Sequence, residues 1–166
     1  MCDEELVAAA REGNVEQTDR LLQKIDGMTT PNAETLERCG RALFLACQNG
    51  HSECVRLLLT ANAAVNQATT DDGATPLITA AENGHSECVQ LLLAANAAVD
   101  QRGSDGITPL IIAGSQGHHD CVQLLLDDAA AVAGFGPSHP NFDAVLRKAR
   151  LLGLGAWSGF SPRHPH

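Results

Sequence analysis

The sequence predicts an all-α solenoid of stacked helix–turn–helix units joined by short β-hairpin turns. Three observations carry that prediction. The block Gly50-His51-Ser52-Glu53-Cys54-Val55 recurs from Gly84 and again, as Gly117-His118-His119-Asp120-Cys121-Val122, at spacings of 34 and 33 residues. A turn and helix-start signal, Asp72-Gly73-Ala74-Thr75-Pro76-Leu77, returns 33 residues later as Asp105-Gly106-Ile107-Thr108-Pro109-Leu110. The composition is 44% hydrophobic but only 3% aromatic, with no tyrosine, so the core has to be built from Ala, Leu, Val, Ile and Cys. A fixed period of this size means a stacked array, in which each unit buries its apolar face on its neighbours.

The units follow in order. Leu6 to Val15 and then Leu21-Leu22 read as helix, turn, helix, giving a degenerate first unit over residues 3–25. Its acids, Asp3-Glu4-Glu5 and Glu16 to Asp19, suit an array end whose outer face meets water. Gly13 and Gly50 are 37 residues apart, so extra linker residues are expected within Asp26 to Glu34. The second unit, 37–69, has Arg41-Ala42 where the later units have Thr-Pro, yet it keeps Leu43, Ala46, Asn49 and Gly50.

Units three and four, 70–102 and 103–133, are regular. Asp-Gly makes a tight turn, Thr caps the first helix, and Pro takes the first helical position, where its missing N–H costs nothing. The first helix of unit three is expected over Pro76 to Asn83, with small Ala80 and Ala81 where another helix comes close and Gly84 in a left-handed end position. The second, Ser86 to Ala95, places Cys88, Leu91, Leu92 and Ala95 on one face. Asn62 and Asn96 fall where the chain turns left-handed again.

With turn, Thr-Pro-Leu, Gly-His and Leu-Leu-Leu elements in register over residues 37–133, the units resemble ankyrin repeats, four in number with the first. The resemblance implies protein–protein recognition without chemistry. Partners of such arrays usually dock on a concave face of hairpin tips and exposed first-helix ends. Carried over by position, that face comprises Glu37, Arg38, Gln48 and Asn49; then Asp71, Asp72, Ala74, Glu82 and Asn83; then Ser104, Asp105, Ile107, Ser115 and Gln116. Five acids against one arginine make it acidic, so a partner with a basic or polar surface is expected. Ile107 is its one large apolar residue. The family's His after Thr-Pro-Leu is Ile78 and Ile111 here, which shifts inter-repeat order toward apolar packing. Asn66 resembles the asparagine hydroxylated in some ankyrin proteins.

Cys54, Cys88 and Cys121 repeat with the array. Equivalent positions on stacked helices lie about 8–10 Å apart, too far for a disulfide or a shared zinc. They are expected to be small buried hydrophobes, and free thiols in this number favour a reducing compartment, cytoplasmic or also nuclear. His51, His85 and His118 are likewise one per repeat, and the resemblance gives them a turn-supporting role. No metal or cofactor site and no catalytic residue is expected: the glycines belong to turns, Gly114-Ser115-Gln116-Gly117 is no nucleophile elbow, and Asp71-Asp72 and Asp127-Asp128 are surface acids.

The formal charge of −9 argues against nucleic-acid or anionic-membrane binding, and no apolar stretch approaches a membrane span. The acidic start is unlike a secretory signal. Residues 134–166 differ, with four bases and one acid. Phe142, Val145, Leu146, Ala149 and Leu152 share a helical face, so 141–152 is expected to cap the open end or to recruit a second complex as a scaffold, with a loose tail after it. The expected protein is a monomeric inhibitor or adaptor; a thiol-based redox sensor using Cys2 or Cys39 is the alternative from another class.

Overall fold

The computed structural model describes residues 2–26 and 33–131. They form eight helices: α1 (Cys2–Glu12), α2 (Val15–Asp26), α3 (Ala33–Asn49), α4 (Ser52–Thr60), α5 (Pro76–Glu82), α6 (Ser86–Ala94), α7 (Pro109–Gln116) and α8 (His119–Ala131). These make four antiparallel pairs in two layers. First helices α1, α3, α5 and α7 pack in sequence, and so do second helices α2, α4, α6 and α8. Most of the expected linker, 27–32, and the segment 134–166 with its helix at 141–152 lie outside the described residues.

Local chemistry sets the regular boundaries. Thr75 and Thr108 cap α5 and α7, their side-chain oxygens accepting from the Ile78 and Ile111 N–H, with proline next. Glycines 13, 50, 84 and 117 are all left-handed, as are Asn62 and Asn96. The hairpin turns are closed by the Thr69 N–H to Ala74 O bond at 2.9 Å and the Gly103 N–H to Ile107 O bond at 3.0 Å. No strand is formed among the described residues.

Unit two departs from its siblings. Without Asp-Gly and Thr-Pro to break it, α3 runs for 17 residues, against 7 in α5 and 8 in α7. Arg41-Ala42, which stands where Thr-Pro would start a helix, is mid-helix here. Helix α3 therefore takes up chain at 33–34 expected as linker and the positions where a hairpin tip would lie.

The core matches the composition. The first-helix layer supplies Leu43, Ala46 and Cys47, then Leu77, Ala80 and Ala81, then Leu110 and Ala113, all buried. The second layer repeats Cys-Val-x-x-Leu: Cys54, Val55, Leu58; Cys88, Val89, Leu92; Cys121, Val122, Leu125. The expected face on α6 is thereby corrected: Val89 is in the core, whereas Leu91 and Ala95 are half-buried. The buried residues of α6 are therefore Cys88, Val89 and Leu92. Thr18 fills the Val55 position of unit one, donating to Asn14 O at 2.8 Å and lying 3.8 Å from Cys54 Sγ.

The histidines link repeats instead of serving their own turns. His51 Nε2–H donates to Arg11 O at 3.0 Å, His85 to Gln48 O at 3.2 Å, and His118 to Glu82 O at 2.9 Å. Each carbonyl lies in the last turn of the preceding unit's first helix, where helical partners run out. Each ring also lies on that unit's left-handed glycine: a Cβ would stand 2.5 Å from His51 Nδ1 at Gly13, 2.6 Å from His85 at Gly50 and 2.5 Å from His118 at Gly84. Polar inter-repeat bonds thus persist although Ile78 and Ile111 replace the family's other histidine.

Gly117 has the same left-handed backbone but, among the described residues, no neighbouring atom within 4 Å of a built Cβ. Gly117→Ala is expected to cost only the backbone strain of a left-handed alanine, about 1–3 kcal/mol. Gly50→Ala should cost that and the displacement of the His85 ring as well. Urea midpoints of the two variants test this; equal losses would show that the ring contact contributes nothing.

Candidate functional site

The hairpins are held by their own aspartates. Asp72 Oδ1 accepts from the Thr69 hydroxyl and, at 3.1 Å, from the Ala74 N–H. The Thr69 bond first, and the Ala74 bond second, hold the Asp72 carboxyl below the usual carboxylate range. Asp105 does the same for the next hairpin, accepting from the Ile107 N–H at 3.0 Å. The two hairpins join through the Ser104 N–H to Asp72 O bond at 2.8 Å, beside left-handed Gly73. Further in, Asn66 Oδ1 accepts from the Ala98 N–H at 2.8 Å, so this exposed asparagine ties unit two to unit three.

The residues expected on the partner-binding face occupy two rows. At the hairpin end lie Asp71, Asp72 and Ala74 with Ser104, Asp105 and Ile107, while Glu37 and Arg38 stand on the N-terminal half of α3 instead of a hairpin tip. At the opposite ends of the first helices lie Gln48 and Asn49, Glu82 and Asn83, Ser115 and Gln116. A helix of seven or eight residues, roughly 11 Å at 1.5 Å per residue, separates the rows. Most of these residues are exposed; Arg38, Ala74 and Ile107 are half-buried. Asp72 and Asp105 are committed to turns, and Asn83 Nδ2–H donates to Thr79 O at 2.9 Å.

Between the extended α3 and the hairpin of 67–71 lies a groove of about 650 Å³. Its floor is Phe44 and Leu45, and its rims carry Glu37, Arg38, Arg41 and Asp71. This volume falls within the roughly 300–1,000 Å³ range of ligand-binding clefts. Phe44 is half-buried and is the single aromatic residue among those described. Two features build the groove. Buried Gly40 lets the hairpin approach α3, since a Cβ there would run into the Gln67 side chain. In addition, Gln67 is nine residues before Pro76 whereas Gln101 is eight before Pro109, so the extra residue of the 34-residue period sits in the groove-side hairpin.

Phe44, Arg41, Leu45 and Gln67 were absent from the expected face. Their signal was the missing Asp-Gly and Thr-Pro before Leu43, which leaves a helix with no stop and no hairpin tip. The groove's own rim is mixed, with two arginines against two acids, whereas the wider expected face carries five acids and one arginine.

Cys39, Cys47, Cys54, Cys88 and Cys121 are free and buried. Burial, with smaller contributions from Glu87 and Cys121, pushes the Cys88 thiol up to about 11. Burial and then Asp120 raise Cys121 equally. Burial alone raises Cys39, the opposite of what a reactive thiol needs. Cys39 is therefore corrected from candidate sensor to core residue; the Cys2 side chain lies outside the described residues. No three His, Cys, Asp or Glu side chains are grouped to hold a metal ion among the described residues. No helix described is long and apolar enough to cross a membrane.

Stacked helix pairs, hairpins tied to one another and histidines on left-handed glycines define a repeat protein of the helix–turn–helix class. The family model for ankyrin repeats matches residues 6–103 and 43–134, and the chain belongs to that family. Ankyrin repeats generally mediate protein–protein interaction, and domains of this kind are typically non-catalytic. Among curated proteins, the Probable E3 ubiquitin-protein ligase XBOS32 of Oryza sativa subsp. japonica is 45% identical over 53 residues, which is 32% of this chain and 8% of that protein. The likeness thus spans a small part of that relative's length.

The raised thiols have a measurable sign. Unfolded cysteines ionise near their ordinary value of 9.0, while folded Cys88 and Cys121 hold their protons to about 11. Stability is therefore unaffected by these groups below pH 9 and falls as pH rises from 9 toward 11. The Cys88→Val/Cys121→Val double variant should flatten that decline in urea titrations. In the native state at neutral pH, a thiol reagent should leave the five buried cysteines unmodified over the time in which the urea-unfolded chain reacts fully.

Proposed function

We propose that this chain is a non-enzymatic recognition module that holds a partner protein against its concave hairpin and first-helix face, as an inhibitor or adaptor. The groove carries this reading. It is a concave site with an aromatic floor and charged rims on a scaffold fixed by inter-repeat bonds, the arrangement in which interface anchors concentrate binding energy. The surrounding acids favour partners with a basic or polar surface, and complementary charge speeds their encounter. Five buried free thiols suit a reducing compartment, cytoplasmic or nuclear. Ligase chemistry of the kind named for the rice relative is no part of the reading.

The test compares capture from cell lysate by the full chain and by charge variants. Gln48→Arg, Asp71→Arg, Glu82→Arg and Gln116→Arg together place positive charge on exposed positions of both rows, without touching the turn-closing Asp72 and Asp105. Partners held by this face should be lost, with helical circular dichroism unchanged. Thr60→Arg with Gln90→Arg, on the second helices, should retain them. Loss with the second pair and retention with the first would place recognition on the other layer and sink the proposal.

A further inference from the structure

The groove's rims are patterned, and the pattern says what kind of segment fits. Glu37 and Arg41 are one helical turn apart on α3, both exposed, and both line the groove. Across the floor, Asp71 is exposed on the hairpin. Acid is therefore offered at the Glu37 and Asp71 positions and base at the exposed Arg41 and the half-buried Arg38, with Phe44 and Leu45 between and beneath. A uniformly basic ligand would meet the Arg41 guanidinium, and a uniformly acidic one would meet both carboxylates. Like charges brought together in a partly desolvated cleft penalise either choice.

The floor demands an apolar contact as well. A half-buried aromatic ring in a concavity gains most from an apolar side chain that completes its desolvation. The same position is a half-buried aliphatic, Val7 and Ile111, in units one and four, and none of the other units presents an aromatic ring there. The residue one repeat on from Phe44 is Ile78, which is buried, and α5 and α7 lack the additional N-terminal turns that form the wall.

Resting on the recognition role proposed above, we propose that this groove captures a short linear segment of a partner protein with a defined charge order. An apolar side chain sits on Phe44 and Leu45, a basic residue lies beside Glu37 and Asp71, and an acidic residue lies beside Arg41.

The test pans a random linear peptide library displayed on phage against the full chain, then measures synthetic copies of the selected peptides by fluorescence polarisation. Selected peptides should share an apolar residue with a base on one side and an acid on the other. Phe44→Ala should weaken them by about tenfold or more. Arg41→Glu, an exposed change that leaves the core intact, should weaken them similarly and redirect fresh selections toward peptides with bases alone.

Selection of uniformly basic peptides indifferent to Arg41→Glu would overturn the proposal, and so would recovery of no peptide. Peptides weakened by Glu82→Arg or Gln48→Arg but not by Phe44→Ala would also overturn it, while leaving recognition by the wider concave face standing. The reverse result, groove peptides lost with Phe44→Ala while lysate partners ignore the charge variants of both rows, would separate the two readings the other way.

Discussion

The structure depends on one recurrent contact: a histidine ring seated on the left-handed glycine of the preceding repeat, its Nε2–H given to that repeat's last helical turn. Three such contacts, at His51, His85 and His118, run along the array. Each satisfies a carbonyl that its own helix cannot, and each needs a glycine twice over, for the positive φ and for the missing side chain. Because an ankyrin unit buries its apolar surface only by stacking, these contacts set the register in which the small-residue layers meet. Ala80, Ala81 and Ala113 can lie fully buried between helices because the stacking distance is already fixed at the turn.

A scaffold held at its turns leaves the hairpin end free to vary, and that is where the chain differs from a regular array. The hairpins are held to one another by the Ser104 N–H to Asp72 O bond, and Asn66 adds a tie between units two and three. In unit two the positions that align with the later hairpin tips are helical. The extended α3 occupies them, and the adjacent hairpin is a residue longer. One lost turn signal and one inserted residue are enough to open a groove without disturbing the layers behind it.

This division explains what could be read in advance. Thr75, Thr108, Gly84, Asn62 and Asn96 behave as their local chemistry requires, since caps and left-handed turns are decided by a few neighbouring residues. The burial of Cys54, Cys88 and Cys121 followed from their period. The length of α3 does not follow from the period, because unit two keeps Leu43, Ala46 and Gly50 in register while lacking the turn and cap that would break the helix. The groove was invisible for a related reason. It joins α3 to residues 67–71 across the stack, a juxtaposition that the sequence around Phe44 and Leu45 does not encode locally. The histidine-to-glycine contact likewise needed three dimensions: His51 and Gly13 are 38 positions apart in the chain.

The groove's position has a thermodynamic consequence. It is built by the first helix of unit two and the hairpin that leads into unit three, so an occupant touching both sides contacts two adjacent repeats. In a nearly one-dimensional array, stability is close to a sum of unit terms and nearest-neighbour terms. A ligand bound across one junction adds its binding free energy to that junction and leaves the distant ones almost unchanged. Units one and two meet through the His51 contact with Arg11 O, and units three and four through the His118 contact with Glu82 O; neither lies in the groove. Occupancy should therefore tighten the middle of the array more than its ends, a pattern that binding to a single repeat would not produce.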